Sequence, residues 1–138
     1  MDVIAYLFFE GRTEEALNFY QRALGAKVEA IHRFKDSPEP GHAPAGAENK
    51  VMHATFTIGD TTVMASDGNC QGKPDFKGVS LSLNVGTEAE AERFFAALSE
   101  GGQAQVPLTK TFFSPKFGVV ADRFGVSWMV IVEPPAQS

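Results

Sequence analysis

Cysteine is nearly absent from this chain of 138 residues, in which Cys70 stands alone. A single cysteine cannot form an intrachain disulfide, and it excludes a zinc site built from a cysteine cluster. Cys70 lies in a turn-rich stretch with no adjacent histidine, so its neighbours offer no base that would activate it as a nucleophile. Stability must therefore come from a hydrophobic core.

Long apolar runs and blocks of like charge are also missing. No run approaches the ~20 residues that span a bilayer, and the first residues lack the basic region of a signal peptide, so we expect a cytoplasmic protein without a membrane partner. The chain has 12 Lys and Arg against 17 Asp and Glu, a formal net charge of −5. An acidic chain without a basic stripe is a poor partner for nucleic acid.

The length and the 43% of hydrophobic residues favour one globular domain over residues 1–138. A chain of this size buries roughly two thirds of the surface that its unfolded form exposes, which is enough for a core without staples. Within this domain, the pattern of strands and helices predicts two modules, at about 1–68 and 77–133.

The first module predicts one helix and four strands. The helix begins at Thr13, a candidate N-cap, and ends before Gly25, with apolar residues at helical spacing between them. Alternating or apolar runs predict strands at 3–9, 27–34, 51–58 and 61–66, the last two forming a hairpin across Gly59-Asp60. Residues 35–50, rich in proline and glycine, predict a long loop.

The second module repeats this order. A strand over 78–85 precedes a helix capped by Thr87, and strands follow at 103–108, 118–121 and 126–132. Ala16, Phe19 and Tyr20 align with Ala91, Phe94 and Phe95 at a constant offset of 75 positions. We therefore predict an α+β fold of two β-α-β-β-β modules, whose faces away from the helices would enclose a cleft if placed side by side.

His53 is the most informative single residue. On its alternating strand it shares a face with Thr55 and Thr57, whereas the apolar residues on the other face should meet a helix. Three interpretations are open: a histidine held by its threonine neighbours, a residue that lines a ligand pocket, and a general base or metal ligand. His32 on an edge strand and His42 in the loop are expected to face solvent.

Other candidates fall into three groups. Ser80, Ser82 and Asn84 share one face of their strand, which points to the cleft or to water. Ser66 and Asp67 end a strand, and Asp67 is explained as a turn residue or as part of a site. The aromatic residues of the second module, which form an apolar ligand wall, core packing or a dimer seam, are Phe112, Phe113, Phe117 and Trp128.

Several motifs resemble the PhnB-like proteins of the vicinal oxygen chelate superfamily, which includes glyoxalases, extradiol dioxygenases and antibiotic-resistance proteins. The resemblance covers nearly the whole chain, and it rests on Phe9–Tyr20, Val51–Phe56 with Gly59-Asp60, Val63–Asp67, Thr111–Gly118 and Asp122–Met129. The resemblance implies a glyoxalase-like sheet and a homodimer. It does not name a reaction, and some members carry a methyltransferase name that this fold does not support.

The resemblance also allows a test for the superfamily's usual divalent metal, which His, Gln or Glu side chains hold. The corresponding positions fall near Ala5, near Val79 or Ser80, and near Met64 and Met129. A methyl group cannot coordinate, and a thioether is a soft ligand unsuited to a hard divalent ion. We therefore expect no metal and no cofactor.

The leading hypothesis is a PhnB-like protein that binds a small organic ligand without a metal. The predicted ligand-binding residues are His53, Thr55, Met64, Ser66, Ser80, Phe112, Phe113, Trp128 and Met129. The alternative is a lyase, isomerase or dioxygenase that uses a displaced metal at His53 with Asp67, or His53 alone as a base. A structural dimer without a ligand is disfavoured by the polar faces of the strands.

Overall fold

The computed structural model describes residues 1–37, 44–70 and 72–134. In this part of the chain, two α-helices and eight strands form two sheets of four strands each. The chain divides into two compact units, Met1–Asp75 and Phe76–Ser138, and each unit contains one helix and one sheet. The predicted α+β fold of two β-α-β-β-β modules is confirmed.

The first unit contains one helix and four strands. They are β1 (Tyr6–Phe8), α1 (Thr13–Leu24), β2 (Lys27–Arg33), β3 (Val51–Ile58) and β4 (Thr61–Ser66), with a 3-10 turn at Phe34–Asp36. The strand order is β1-β4-β3-β2, in which β1 and β4 are parallel and the other neighbours are antiparallel. The predicted hairpin of β3 and β4 is confirmed.

Helix α1 covers one face of the first sheet. Ala54 and Phe56 of β3 are fully buried, and the Phe56 ring stacks on Tyr20 of α1 with the ring centroids 6.2 Å apart. Because side chains alternate along a strand, His53 and Thr55 lie on the other face, as predicted. We call this other face the helix-free face of the first sheet.

The predicted N-cap of α1 is wrong. Thr13 is the first residue of the helix, and its buried hydroxyl has no hydrogen-bond partner among the described residues. Instead, Asp67, which follows β4, places Oδ1 where it accepts from the amides of Thr13 at 2.8 Å and Gly11 at 3.0 Å. The cap is thus a carboxylate that is distant in sequence, which satisfies helix amides that a local side chain would otherwise bind.

The second unit has the same topology as the first. Its elements are β5 (Ser80–Val85), α2 (Glu88–Ser99), β6 (Gln103–Thr109), β7 (Phe117–Ala121) and β8 (Ser127–Val132). The order is β5-β8-β7-β6, and β5 and β8 are parallel. Thr87 caps α2 as predicted, because its Oγ1 accepts from the Glu90 amide at 3.1 Å.

Helix α2 packs closely on its own sheet. A Cβ atom added at Gly118 of β7 would lie 2.8 Å from the Phe95 ring of α2, so only glycine allows this approach. Trp128 of β8 is on the same face as Gly118 and is 3% exposed. Its Nε1 donates to Asp122 at 2.9 Å, which fixes the indole in the core.

Several strands are shorter than predicted, and β1 differs most from its predicted range. Strand β1 covers Tyr6–Phe8 rather than 3–9, because Val3 and Ile4 are exposed and lie outside its pairing with β4. In the described part of the chain, the longest helices have 12 residues, and none is long and apolar enough to cross a membrane.

Candidate ligand-binding site

The helix-free face of the first sheet brings together aromatic, thioether and polar side chains. Tyr6 of β1 pairs with Met64 of β4, and Met64 pairs with Thr55 of β3, so the three lie side by side. Phe8 and His53 extend the face along β1 and β3. Tyr6 is 38% exposed and Phe8 is 51% exposed, which is unusual for large apolar side chains on a sheet and marks a surface that can take a ligand.

A chain of hydrogen bonds crosses this face. The Tyr6 hydroxyl lies 2.8 Å from Nδ1 of His53, and the Thr55 hydroxyl lies 3.3 Å from Nε2. In either neutral tautomer, one ring nitrogen donates and the other accepts, so both contacts form with an uncharged imidazole. The His32 ring lies parallel to His53 at 6.3 Å, on the edge strand β2, where it is exposed as expected.

Burial raises the pKa of the Tyr6 phenol above its ordinary value, and a hydrogen bond with the Ser66 side chain opposes this only in part. Tyr6 therefore keeps its proton at neutral pH and is able to donate a hydrogen bond. A phenol beside an imidazole on an apolar surface offers a ligand one donor and one adaptable partner.

The side chains of the predicted residues Ser66 and Asp67 both accept hydrogen bonds from backbone amides. The Ser66 hydroxyl accepts from the Gly68 amide at 2.9 Å, and the residue is 4% exposed. Both carboxylate oxygens of Asp67 are occupied, because Oδ2 accepts from the Val51 amide at 2.7 Å and Oδ1 caps α1. Asp67 thus joins the start of β3 to the start of α1, and it is not free for chemistry with His53.

In the second unit, Ser80 and Met129 lie on the face of the sheet away from α2. The Ser80 hydroxyl donates to the Ser127 hydroxyl at 2.8 Å, and Met129 pairs with Ser82. Trp128 lies on the opposite face, against α2, so the structure does not bring it together with Met129. The part of the prediction that grouped Trp128 with these residues fails because adjacent strand residues point to opposite faces.

Phe112 and Phe113 lie in the loop between β6 and β7. Phe112 is fully exposed and Phe113 is 42% exposed. Their rings pack edge to face at 5.1 Å, and Phe113 makes a similar contact with Phe117. The predicted aromatic cluster therefore exists, and it belongs to this loop rather than to the core around Trp128.

The described residues contain no group of three or more His, Cys, Asp or Glu side chains that could hold a metal ion. In the first unit, the residue that pairs with Met64 is Tyr6. A phenol and a thioether do not form the imidazole and carboxylate set that hard divalent ions prefer. His42, the remaining histidine, lies outside the described residues.

Sequence reasoning missed Tyr6. Residues 3–9 form an apolar run, and such a run gives no sign of which side chains share a face with His53. The missing information is the parallel pairing of β1 with β4, which places Tyr6 beside Met64 and Thr55. The single polar atom in the run, the Tyr6 hydroxyl, was the available signal.

Comparison with known families and structures gives a consistent assignment. A family model described as 3-demethylubiquinone-9 3-methyltransferase matches residues 1–131. A Pseudomonas aeruginosa structure, protein PA1353, is 45% identical with a TM-score of 0.84 and covers 96% of this chain and 98% of that chain. A PhnB protein from Bacillus cereus is 33% identical with a TM-score of 0.79, over 96% and 99% of the two chains.

A more distant structure has the same fold. A glyoxylase/bleomycin resistance protein/dioxygenase domain from Frankia has a TM-score of 0.63 at 15% identity, over 96% of this chain and 94% of that chain. At this identity, the likeness shows the fold alone.

Proposed function

Because this chain belongs to the family described as 3-demethylubiquinone-9 3-methyltransferase, the PhnB-like branch of the vicinal oxygen chelate superfamily, we propose that it is a small-molecule-binding protein. The ligand is a small organic molecule held on the helix-free face of the first sheet, without a divalent metal. The proposal does not include methyl transfer. The description of a family does not show that this face of the sheet catalyses that reaction.

The observation that carries the proposal is the hydrogen-bonded Tyr6 and His53 pair on an exposed apolar surface. Ligand sites combine apolar lining with a few fixed polar groups. Phe8 and Met64 supply the apolar part, and Tyr6 and His53 supply the polar part. Met64 also adapts its shape easily, because it is unbranched and polarizable.

The absence of a metal in the proposal rests on donor chemistry. At the positions that the resemblance assigns to the superfamily's metal ligands, the first unit has Ala5 and Met64, and the second has Val79 or Ser80 and Met129. None of these residues has an imidazole or a carboxylate. The ligand would therefore bind through hydrogen bonds and apolar contact.

Binding is favoured over catalysis by the state of His53. Both of its ring nitrogens already have a hydroxyl neighbour, so a base role would require a substrate to displace one of them. The Thr55 contact at 3.3 Å is the longer, which makes Nε2 the atom that a ligand reaches at the smaller cost.

Thermal-shift screening followed by amide NMR tests this proposal. Aromatic and aliphatic acids, phenols and amines are screened against metal-free protein, and binders should raise the melting temperature by mass action. Binders should shift the amides of Tyr6, His53 and Met64. His53→Gln should weaken ligand binding about tenfold if one buried hydrogen bond of roughly 1.4 kcal/mol is lost, whereas Arg22→Gln, at an exposed position on α1, should not. Equal affinity in wild type and His53→Gln would refute the assignment of this face.

The same Tyr6 and His53 contact favours one catalytic alternative, proton transfer at carbon by His53. The test incubates each binder in heavy water and follows loss of its acidic C–H signal by NMR. Catalysed exchange that disappears in His53→Ala but persists in Arg22→Gln would establish a base and replace simple binding as the function. If no binder exchanges its C–H proton, ligand binding without catalysis stays the proposed function.

A homodimer and a cytoplasmic location are further parts of the proposal. Val3 and Ile4, two exposed apolar residues that precede β1, support self-association because isolated domains rarely expose such groups together. Light scattering should give twice the chain mass of 14.9 kDa. A mass equal to one chain at micromolar concentration would contradict the dimer.

A further inference from the structure

A second candidate site lies in the second unit, at the loop between β6 and β7. This loop, the start of α2 and Pro134, two residues after the end of β8, line an open groove of about 620 Å³. The residues that form it include Thr109, Lys110, Phe112, Phe113, Glu88 and Pro134. The volume lies in the range of small-molecule sites.

The loop that forms the groove is held in one shape. Ser114 is 3% exposed, and its Oγ lies 2.6 Å from the Val132 carbonyl and 2.7 Å from the Lys116 carbonyl, which share its proton. Thr111 and Ser114 also bind each other, since the Thr111 amide donates to the Ser114 carbonyl and the Ser114 amide donates to Thr111 Oγ1. A loop tied to β8 in this way presents its side chains without a large ordering cost.

The loop presents aromatic rings to solvent. Phe112, Phe113 and Phe117 form a ladder of edge-to-face contacts, each with ring centroids 5.1 Å apart. Phe112 is fully exposed, so it contributes little to the core of the unit. A rigid loop that holds a phenyl ring in water supplies a face on which a flat apolar ligand can stack.

Three charged side chains line the groove: the carboxylate of Glu88 and the amines of Lys110 and Lys116. Lys116 is bound to Glu92 at 2.9 Å, whereas Lys110 has no ion-pair partner within the described residues. Lys110 is therefore the cation left to meet a ligand, in a chain whose net charge is −5.

We propose that this groove binds a small organic anion with a flat aromatic body. The aromatic body stacks on Phe112 and Phe113, and the carboxylate or sulfonate lies beside Lys110. The site is separate from the one proposed on the first sheet, and it does not depend on the ligand of that sheet.

Two fluorescent probes test the proposal on the full chain. Anilinonaphthalene sulfonate has a flat body and a negative charge, and phenylnaphthylamine has the same body without the charge. The sulfonate should bind more tightly and lose affinity when salt rises from about 0.05 to 0.5 M, because exposed charge pairs are screened. Binding of the sulfonate should shift the amide NMR signals of residues 110–114 and 116.

Variants locate the probe. Phe112→Ala removes an exposed ring, so it should fold normally and bind both probes about fivefold more weakly. Lys110→Gln should weaken only the sulfonate, by about threefold. Matched controls, Lys73→Gln for charge and Val79→Ala for an exposed apolar side chain, should bind as the wild type does.

The outcomes separate this site from the first one. His53→Gln should leave the sulfonate bound at the groove, and loss of binding only in His53→Gln would place the probe on the first sheet and overturn the groove. Equal affinity of wild type and Phe112→Ala, or equal weakening of both probes by Lys110→Gln, would also overturn the proposal.

Discussion

At the scale of single residues, Asp67 has a structural role in the first unit. Its two oxygens accept from the amides of Gly11, Thr13 and Val51, and the residue is 1% exposed. Asp67→Ala leaves these donors without a partner, so we expect a loss of about 3 kcal/mol or more in the free energy of unfolding. Urea denaturation measures it.

The control for this change is Asp60→Ala in the exposed turn between β3 and β4. It should alter the unfolding free energy by less than about 0.5 kcal/mol. An equal effect of the two substitutions would show that the carboxylate of Asp67 does not cap α1 in solution.

Thr13 gives the opposite expectation. Its hydroxyl is buried without a partner among the described residues, so Thr13→Val, which keeps the shape, should stabilise the protein by about 1 kcal/mol. Thr87→Val removes a hydroxyl that caps α2 and should destabilise by about 1 kcal/mol. Thermal and urea unfolding of the pair should give opposite signs, and destabilisation by both would contradict the assignment of Thr13.

At the scale of elements, the side-chain contact between α1 and β2 makes stability depend on pH. Arg33 donates to both carboxylate oxygens of Glu14, at 3.1 Å and 2.7 Å. Chiefly this hydrogen bond, and then the charge of Arg33, hold the pKa of Glu14 below its ordinary value of 4.5. The contact stabilises the fold above that ordinary value and is lost as the pH falls through the lowered pKa.

Carbon NMR titration of the side-chain carboxyls tests this contact. In Arg33→Gln, the midpoint of Glu14 should rise toward the ordinary value, whereas Arg22→Gln, which does not contact Glu14, should leave it low. Glu14 is 54% exposed, so the stability at stake is less than about 1 kcal/mol. If the titration midpoint of Glu14 is the same in Arg33→Gln as in the wild type, the contact with Arg33 does not lower the pKa of Glu14.

The elements also show what the sequence could predict. Alternation on β3 predicted that His53 and Thr55 face away from α1, because period and burial are local properties. The contacts of Tyr6 and Asp67 depend on which strands become neighbours, and this pairing joins segments far apart in the chain. Local patterns therefore predicted the strand faces correctly, while the partner of His53 and the cap of α1 needed the structure.

At the scale of the whole molecule, the repeat was the most predictive feature. Each sheet has an apolar face that must be buried, and the helix of the same unit covers it, so the order of strands and helices indicates the topology of both units. The faces away from the helices carry different side chains in the two units. The first presents a phenol and an imidazole, and the second presents serines and Met129.

Metal content is the property of the whole chain that most directly tests the proposed function. Protein dialysed against Zn²⁺, Ni²⁺, Mn²⁺ and Fe²⁺ should hold far less than one metal per chain, because the described residues offer no cluster of three suitable ligands. Elemental analysis measures this, and His53→Ala is the matched variant because alanine cannot coordinate a metal. One equivalent that is lost in His53→Ala would place a displaced metal at His53 and make a lyase or dioxygenase reaction the better function. One equivalent that survives would point to residues outside the described ranges, such as His42.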